Sequence, residues 1–351
     1  MAAGETLREI SGKSPWRLAG RRLLRNRIAL AALALFLLII TVSFGAPIYA
    51  HHVAHTDPFI ANLSGTITLH GKTVDVIQQG GGALGLGETP IGPTWTSHYL
   101  LGADNQGRDV AARVLYGGRA SLEIGVGSAV ICCAIAVLLA LLAGFFGRWV
   151  DSILSRVMDL VWAFPVYLLA ISLSTVLLTR PNGLKVGFLT VNPTSLWVTT
   201  TIIAVIYVPY VFRPVRGQVL SVREKEYVEA AFAQGASSFR IMFHEILPNA
   251  LPTVIVLLPL MIATTILTES ALSFLSIGVQ PPNASWGTII DDGQDLLYTR
   301  PMVAIAPGVM IVLTVLALNL LGDGVRDAPW ATAASTYSFS RTDSTCPRTG
   351  R

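Results

Sequence analysis

The sequence predicts an all-α integral membrane protein with six transmembrane helices and a small extracytoplasmic insertion. Composition and its distribution along the chain lead to this fold class. Apolar residues make up 52% of the 351 residues and charged residues only 13%, which is about half the ~25% of an average soluble protein. So few charges cannot cover a water-exposed globular surface, and so apolar a chain is not intrinsically disordered. The apolar residues are also gathered into long stretches.

Six stretches are long enough to cross the hydrocarbon core of a bilayer, which takes about 20 residues of helix. They are residues 28–50, 121–147, 157–179, 196–212, 249–268 and 302–321. The fourth is the shortest, and the fifth contains two prolines, which membrane helices tolerate when neighbouring groups bind the freed carbonyls. A cleaved signal peptide is the alternative for the first stretch. It is disfavoured because both the basic region and the apolar run are too long.

Basic residues are distributed unevenly between the two sides of these spans. With the N-terminus inside, the inner segments 1–27, 148–156, 213–240 and 326–351 carry 18 Lys and Arg, whereas the outer segments carry 7. Loops rich in Lys and Arg stay in the cytoplasm, so we expect both termini there. The net charge of +4 therefore reflects residues that flank membrane spans, and nucleic acid is not an expected partner.

The chain is expected to divide at the ends of the first and last spans. In order, we expect a cytoplasmic segment (1–27), the first helix (28–50), the insertion (51–100), a core transmembrane domain (101–328) and a disordered cytoplasmic tail (329–351). Within the insertion, residues 66–77 alternate apolar and polar residues about His70-Gly71-Lys72, which predicts a β-hairpin.

A histidine cluster opens the insertion. It consists of His51, His52 and His55, and imidazoles four residues apart on a helix can share a metal ion. No carboxylate-rich second layer of ligand-supporting residues accompanies them. We therefore expect no metal site and keep these histidines as weak candidates.

The longest inner loop, residues 213–246, predicts two short helices. Ser221 and Glu224 have the spacing of a capping box, the run 224–234 favours a helix, and Gly235 is suited to end it. Ser237 or Ser238 would begin the second helix. Such a hairpin is not needed to span a membrane.

One side of the first predicted helix carries Tyr227, Ala231 and Phe232. Side chains of this kind suit a groove on another protein. The alternative is an ordinary amphipathic loop helix.

The same loop resembles the EAA signature of ABC importer permeases. It contains Glu229-Ala230-Ala231, three further residues, Gly235, and then Ile246-Leu247-Pro248. The family pattern has nine residues between Gly and Ile and one residue before Leu-Pro, so the end of the match is shifted here. The resemblance implies that Tyr227, Glu229, Ala230, Ala231, Phe232 and Gly235 couple the chain to ATPase subunits.

Two further stretches resemble the peptide-type permeases of the DppC/OppC kind. One runs from Leu101 to Leu122 and contains Gly-Ala-Asp-Asn-Gln-Gly-Arg-Asp; the other begins at Glu269-Ser-Ala and continues through Ser285-Trp-Gly to Asp327. The resemblance covers about residues 15–50 and 95–328. It leaves out residues 51–95, and the family's usual Asp-Pro-Arg tail is replaced by Ala-Pro-Trp.

This resemblance implies one permease subunit of an ABC type I importer for di- or oligopeptides in a bacterial plasma (inner) membrane. The implied partners are a second homologous permease, two ATP-binding subunits that hold ATP and Mg²⁺, an extracytoplasmic substrate-binding protein and the lipid bilayer. The implied mechanism is alternating access.

No catalytic residue or cofactor is expected in this chain itself. Gly71-Lys72-Thr73 lacks the glycine that a phosphate-binding Walker A loop needs five residues before its Gly-Lys, because Thr66 stands at that position. The chain is therefore not expected to be an enzyme.

A polar, turn-rich segment before the second span and a tryptophan after the fifth are candidates for a gate or a receptor contact. They are Gly102, Asp104, Arg108, Asp109 and Trp286. The alternative, which turn chemistry favours, is that the polar residues satisfy one another and cap the helix. Asp159 and Glu269 lie at the ends of apolar runs, where we expect pairing or snorkelling rather than burial in the span.

Two other functions stay open. The first is a permease of the same fold for nickel or another small solute, which the histidine cluster alone supports. The second is a secondary transporter or membrane enzyme, which would need ionisable residues deep in the spans or an inverted repeat. Neither feature is evident in the sequence.

Overall fold

The computed structural model describes residues 24–69, 71–79, 87–179, 184–186, 189–191 and 195–327. The tail for which we predicted disorder lies outside these residues. Within them, five helices are long and apolar enough to cross a membrane, and one bent pair of helices provides a sixth crossing if it counts as a single span. The prediction of an all-α membrane protein is confirmed.

The long helices are named here in chain order. They are α1 (Arg27–Phe44), α3 (Val110–Phe146), α6 (Leu196–Arg223), α9 (Leu247–Phe274) and α11 (Met302–Arg326). The bent pair consists of α4 (Arg148–Trp162) and α5 (Val166–Leu178), and the shorter helices are α2 (Ala46–Tyr49), α7 (Glu226–Ala233), α8 (Ser238–Arg240) and α10 (Trp286–Asp292).

The third predicted span is not one straight helix. Its residues are divided between α4 and α5, which meet at 88°. Pro165 lies between the two helices, and a proline disfavours helical conformation in the residue before it. The amphipathic helix α4 begins well before the predicted boundary at 157, because its charged residues hide it from a search for apolar runs.

Boundaries of other helices also differ from the prediction. The helix α3 begins at Val110, where Asp109 caps it by accepting a hydrogen bond from the Ala112 N–H at 3.1 Å. The helix α6 continues past residue 212 to Arg223, so Ser221 lies inside it and does not cap the next helix. In contrast, α1 ends at Phe44, and α2 and a π-helical turn (Ala50–Ala54) follow it.

The centre of the bundle is α3, which packs along α6 in the same direction. The Ser128 hydroxyl donates to the Thr200 carbonyl at 3.0 Å, and near the other end Gly144 lies against Val219, where a Cβ on the glycine would come within 2.4 Å of the valine Cγ1. The helix α9 packs on α3 as well, since the Thr265 hydroxyl donates to the carbonyl of Gly125 at 2.8 Å. These contacts set the register of the three central helices.

The insertion contains two antiparallel strand pairs. The predicted hairpin is confirmed as β1 (Thr66–Leu69) and β2 (Lys72–Asp75). A second pair, β3 (Ile77–Gln79) with β4 (Glu88–Pro90), was not predicted, and neither was β5 (Leu184–Val186) with β6 (Leu189–Val191), which lies between α5 and α6. A small apolar cluster supports the first two pairs; it contains Val76, Ile91, Tyr99 and Ala103.

The insertion is attached to the bundle rather than only tethered by its ends. The Arg300 guanidinium, just before α11, donates to the Pro90 carbonyl at 2.6 Å. We call this end of the bundle the insertion end, and the end that carries residues 224–240 the opposite end.

Candidate functional site

The loop of the opposite end forms a compact helical hairpin, residues 226–240. It consists of α7, a turn at Gly235 and α8, which continues through a π-helical turn (Ile241–Ile246) into α9 as one 37-residue element. Val228 is fully buried and anchors α7. The predicted helix–glycine–helix arrangement is confirmed, although α7 begins at Glu226 and has no side-chain cap.

The turn at Gly235 follows from its backbone conformation. Its φ is +76°, a left-handed value at which glycine has no steric penalty. The Gly235 N–H donates to the Phe232 carbonyl at 3.0 Å and the Ala236 N–H to the Ala231 carbonyl at 3.1 Å, which together form the Schellman ending of a helix. Ser237 then caps the next helix through the Arg240 N–H.

Three aromatic side chains of this hairpin are partly exposed. Tyr227, Phe232 and Phe239 are each exposed over 43% or more of their surface. Exposed apolar side chains contribute to an interaction site where they lie together on a surface. Partial burial, with a smaller contribution from Glu245, raises the pKa of the Tyr227 phenol.

A groove of about 400 Å³ runs between the end of α6 and α7. Its lining residues are Leu220, Arg223, Glu224, Glu229 and Phe232. The groove therefore combines one cationic and two anionic side chains with an aromatic ring. Of the predicted residues, Glu229 and Phe232 line it, Ala230 is exposed and Ala231 packs against the core.

Sequence reasoning missed Arg223 and Glu224 as members of the groove. The sequence did contain a signal for them. Two adjacent residues of opposite charge, at the end of a helix and next to the EAA pattern, are good candidates for a polar contact. These two residues were not considered because the fourth span was predicted to end at residue 212, well before the actual end of α6.

The hairpin is joined to the central helix α3. The Phe232 ring stacks on Phe145 with centroids 5.8 Å apart and 15° between the planes. Just before the hairpin, Arg223 at the end of α6 donates to the Gly144 carbonyl at 3.2 Å. Both partners belong to the last turn of α3. The hairpin therefore contacts the end of α3 directly through Phe232.

The candidate gate residues at the insertion end lie in the interior. The Asp104 and Asp109 side chains and Trp286 are fully buried. Gly102 has φ +90°, and a Cβ there would come within 2.7 Å of the Ile91 carbonyl oxygen. In this conformation none of these four offers a surface to a receptor.

Instead, an ion-pair cluster joins the start of α3 to α10. Arg108 Nε lies 2.7 Å from Asp104 Oδ2 and its second nitrogen 2.9 Å from Asp292 Oδ2, which also accepts from Arg113 at 2.8 Å. Burial raises the pKa of the Asp292 carboxyl, and the two arginines oppose this shift. The cluster contains two cations and two anions, and Arg113 and Asp292 were not predicted.

Two other contacts reinforce this junction. Asp109 accepts hydrogen bonds from the Tyr99 and Ala112 N–H groups at 3.1 Å each; burial raises its pKa and these donors oppose the shift. The Trp286 indole donates to the Val114 carbonyl at 3.0 Å. The alternative that these residues satisfy one another and cap α3 fits the geometry.

Asp159 and Glu269, the two acidic residues expected at the ends of membrane spans, differ from each other in their surroundings. Asp159 pairs with Arg213 at 2.8 Å, as expected. Glu269 is fully buried within α9, where it accepts hydrogen bonds from the hydroxyls of Ser273 at 2.7 Å and Ser270 at 3.4 Å. The expectation of a snorkelling or paired Glu269 is wrong, because serine hydroxyls rather than water or a cation satisfy it.

The histidine cluster does not converge on a common point. His51 and His52 are exposed in the π-helical turn, and His55 follows it with φ +49°. Its ring faces that of His98, with centroids 5.8 Å apart, while His98 Nδ1 lies 2.7 Å from the Ala54 carbonyl. Over the described part of the chain, no group of three His, Cys, Asp or Glu side chains is placed to hold a metal ion.

Comparison with known proteins gives two family matches. The model for the binding-protein-dependent transport system inner membrane component matches residues 136–328. The model for the N-terminal transmembrane domain of oligopeptide transport permease C matches residues 14–64. The second match continues into the insertion, so the expectation that the resemblance stops at residue 50 is wrong.

Curated relatives align over most of this chain. A dipeptide transport system permease protein DppC from Alkalihalophilus pseudofirmus is 34% identical over 316 residues, covering 90% of this chain and 89% of the relative. A glutathione transport system permease protein GsiD from Pectobacterium atrosepticum is 33% identical over 328 residues, covering 93% and 95%. An oligopeptide transport system permease protein OppC from Bacillus subtilis is 33% identical over 315 residues, covering 90% and 89%.

Proposed function

Because this chain belongs to the family of binding-protein-dependent transport system inner membrane components, we propose that it is a permease subunit of an ATP-driven importer for di- and oligopeptides. The observation that carries the proposal is the 226–240 hairpin, which carries partly exposed aromatic side chains at one end of a membrane bundle. The substrate class is supported by the relatives, which are named for dipeptide, glutathione and oligopeptide transport.

The proposed orientation places the opposite end in the cytoplasm and the insertion end outside a bacterial plasma (inner) membrane. It is supported by the excess of Lys and Arg in the inner segments, since such segments are retained in the cytoplasm. Both termini would then be cytoplasmic, and the two strand pairs of the insertion would face the extracytoplasmic space.

The proposed assembly contains a second homologous permease, two ATP-binding subunits and an extracytoplasmic substrate-binding protein. The ATP-binding subunits supply the nucleotide site with its Mg²⁺, and this chain acts as a transport subunit. Its 226–240 hairpin would seat in one ATP-binding subunit, with the aromatic rings entering a groove there and Glu229 at the polar rim.

The mechanism assigned to this chain is alternating access driven through α7. Val228 and the Phe232–Phe145 stack hold α7 against the bundle, so closure of the ATP-binding pair moves α7 and α3 together. The groove charges Arg223, Glu224 and Glu229 orient the partner surface, because complementary charges fix register at an interface.

The proposal is tested by purifying the tagged chain from its native membrane in mild detergent. We expect two ATP-binding subunits and a second six-span permease to accompany it, and the assembly with its binding protein to take up a labelled dipeptide or tripeptide into proteoliposomes only when ATP is supplied. Recovery of the chain alone in several detergents would contradict the assembly. ATP-dependent uptake of another solute, with peptides inactive, would contradict the substrate class.

A further inference from the structure

A groove of about 330 Å³ runs between the start of α1 and the last turns of α11, away from the sites described above. Seven of the eight side chains that line it are aliphatic, and the eighth is Arg27. Ala32 and Ala317 are buried and form its floor, whereas Ile28 and Leu316 at its sides are exposed over 64% and 49% of their surface. The groove is therefore open on the outer surface of the bundle.

The surface around this groove is suited to hydrocarbon. No charged residue occurs on α1 after Arg27 or on α11 before Asp323. The large side chains exposed along these two helices are aliphatic and include Leu37, Leu38, Val309 and Val312. Helices that are apolar on every side and long enough to span the membrane expose such faces to lipid. An acyl chain of the bilayer is thus the occupant that the surroundings of the groove favour.

The length of the groove also fits an acyl chain. On α1 its lining extends from Arg27 to Leu35, which is about 12 Å of helix. One leaflet contributes about 15 Å, which is half of the ~30 Å hydrocarbon core. A chain lying in the groove would therefore be in contact with protein across most of its leaflet.

Arg27 gives the groove a cationic mouth. It is the first residue of α1, it is exposed, and none of the ion pairs among the described residues involves it. It is also the last of five arginines in residues 17–27, which contain no acidic residue. On α11, exposed Arg326 stands between exposed Asp323 and Asp327, so the excess of positive charge lies on the α1 side. A positive mouth attracts an anionic headgroup.

We propose that this groove, which we call the α1–α11 groove, binds one anionic phospholipid of the bilayer, with an acyl chain along its aliphatic walls and the headgroup phosphate at Arg27. In the orientation proposed above, the lipid belongs to the cytoplasmic leaflet. Basic pockets between membrane helices on that side bind anionic headgroups. A zwitterionic lipid offers the same chain but no net charge, so preference for an anionic lipid defines the site.

The test measures bound lipid directly. The tagged full-length protein, with the subunits that accompany it, is purified in detergent, stripped of lipid and titrated with phosphatidylglycerol or with phosphatidylcholine of the same acyl chains. Native mass spectrometry counts the lipids bound. We expect the first phosphatidylglycerol to bind at least five times more tightly than the first phosphatidylcholine.

Two variants separate the headgroup contact from the chain contact. Arg27→Gln should bring the affinities for the two lipids within twofold of each other, because it removes the charge at the mouth. Ala31→Leu should weaken binding of the first phosphatidylglycerol at least threefold, because Ala31 lines the groove and is exposed, so the larger side chain occupies the place of the lipid.

Each variant has a matched control outside the groove. Arg119→Gln removes the cation that lies over Phe44 at the other end of α1. Ala34→Leu adds the same volume at an exposed position of α1 that does not line the groove. Both controls should bind each lipid within twofold of wild type.

Equal binding of the two lipids by wild type would overturn the proposal. So would an unchanged preference in Arg27→Gln, or wild-type binding by Ala31→Leu, since the lipids would then be those that surround any membrane protein. If Ala31→Leu loses a second permease that wild type retains, the groove receives that subunit and not a lipid. Arg27→Gln leaves the apolar contacts intact and decides alone if Ala31→Leu does not fold. Because bound lipid and not uptake is measured, the outcome is independent of the proposed transport of peptides.

Discussion

The turn of the 226–240 hairpin depends on the backbone conformation of Gly235 and not on a side chain. Proline fixes φ near −65° and has no N–H, whereas Gly235 has φ +76° and donates to Phe232. We expect Gly235→Pro to reduce ATP-dependent peptide uptake at least tenfold while the protein still accumulates in the membrane fraction.

The matched variants are Gly235→Asn and Gly235→Ala. Asparagine tolerates the left-handed region and should keep most of the uptake. Alanine costs about 1–2 kcal/mol in this conformation, so the uptake of the alanine variant should lie between those of the asparagine and proline variants. No Cβ clash complicates the series, because nothing lies within 4 Å of that position. Normal uptake by the proline variant would disprove the role of this turn.

Glu269 is the buried acid whose place the sequence did not predict. Its carboxyl accepts from Ser273 and Ser270, so Glu269→Ala leaves buried hydroxyls without their acceptor and should destabilise the protein by about 1–3 kcal/mol. Glu269→Gln keeps an acceptor oxygen and should cost less. Thermal unfolding of the purified complex measures both, and equal melting points for the alanine variant and wild type would contradict this account.

Trp286 shows how a short element holds a long one. The helix α10 has only seven residues, and its attachment to α3 depends on the fully buried indole and its bond to Val114. Trp286→Phe should cost about 1 kcal/mol for the lost hydrogen bond, whereas Trp286→Ala should cost about 3–5 kcal/mol because it also leaves a cavity.

Unfolding midpoints in detergent distinguish these two losses. A phenylalanine variant as unstable as the alanine variant would show that the indole N–H, and not the packed volume, dominates. An alanine variant as stable as wild type would mean that α10 is held by other contacts.

At the scale of elements, apolar runs predicted which spans exist but not where they end. The end of α6 was missed because Pro209 and Pro214 and the following charges imitate a helix terminus, whereas burial of Val215, Val219 and Val222 keeps the helix intact. The bend between α4 and α5 was missed because α4 is amphipathic, so its sequence does not contain the continuous apolar run by which spans were predicted.

At the scale of the whole molecule, the orientation can be tested directly. Lys72 lies at the exposed tip of the first hairpin of the insertion, and Tyr227 lies on the 226–240 hairpin. In a background with Cys346 replaced by serine, Lys72→Cys should react with an impermeant thiol reagent in intact cells. Tyr227→Cys should react only after permeabilisation, and the reverse pattern would refute the orientation.

The EAA pattern located the 226–240 hairpin because its residues are close together in the sequence. The ion-pair cluster could not be found that way, since Arg108 and Arg113 meet Asp292 across 184 and 179 positions. Only the packing of α3 against α10 brings them together. The partner of Asp159 could not be identified for the same reason, since Arg213 is 54 positions away.

The single helix α3 touches both ends of the molecule. Its first turns are held by Asp109 and Trp286 and its last turn by Phe232, with 37 residues and no proline between. About 55 Å of continuous helix thus connects the insertion end with the 226–240 hairpin. In the proposed assembly, a change at one end that α3 transmits to the other would link binding of the extracytoplasmic protein to binding of nucleotide. By reciprocity, the factor by which nucleotide changes affinity for the loaded binding protein equals the factor by which that protein changes affinity for nucleotide.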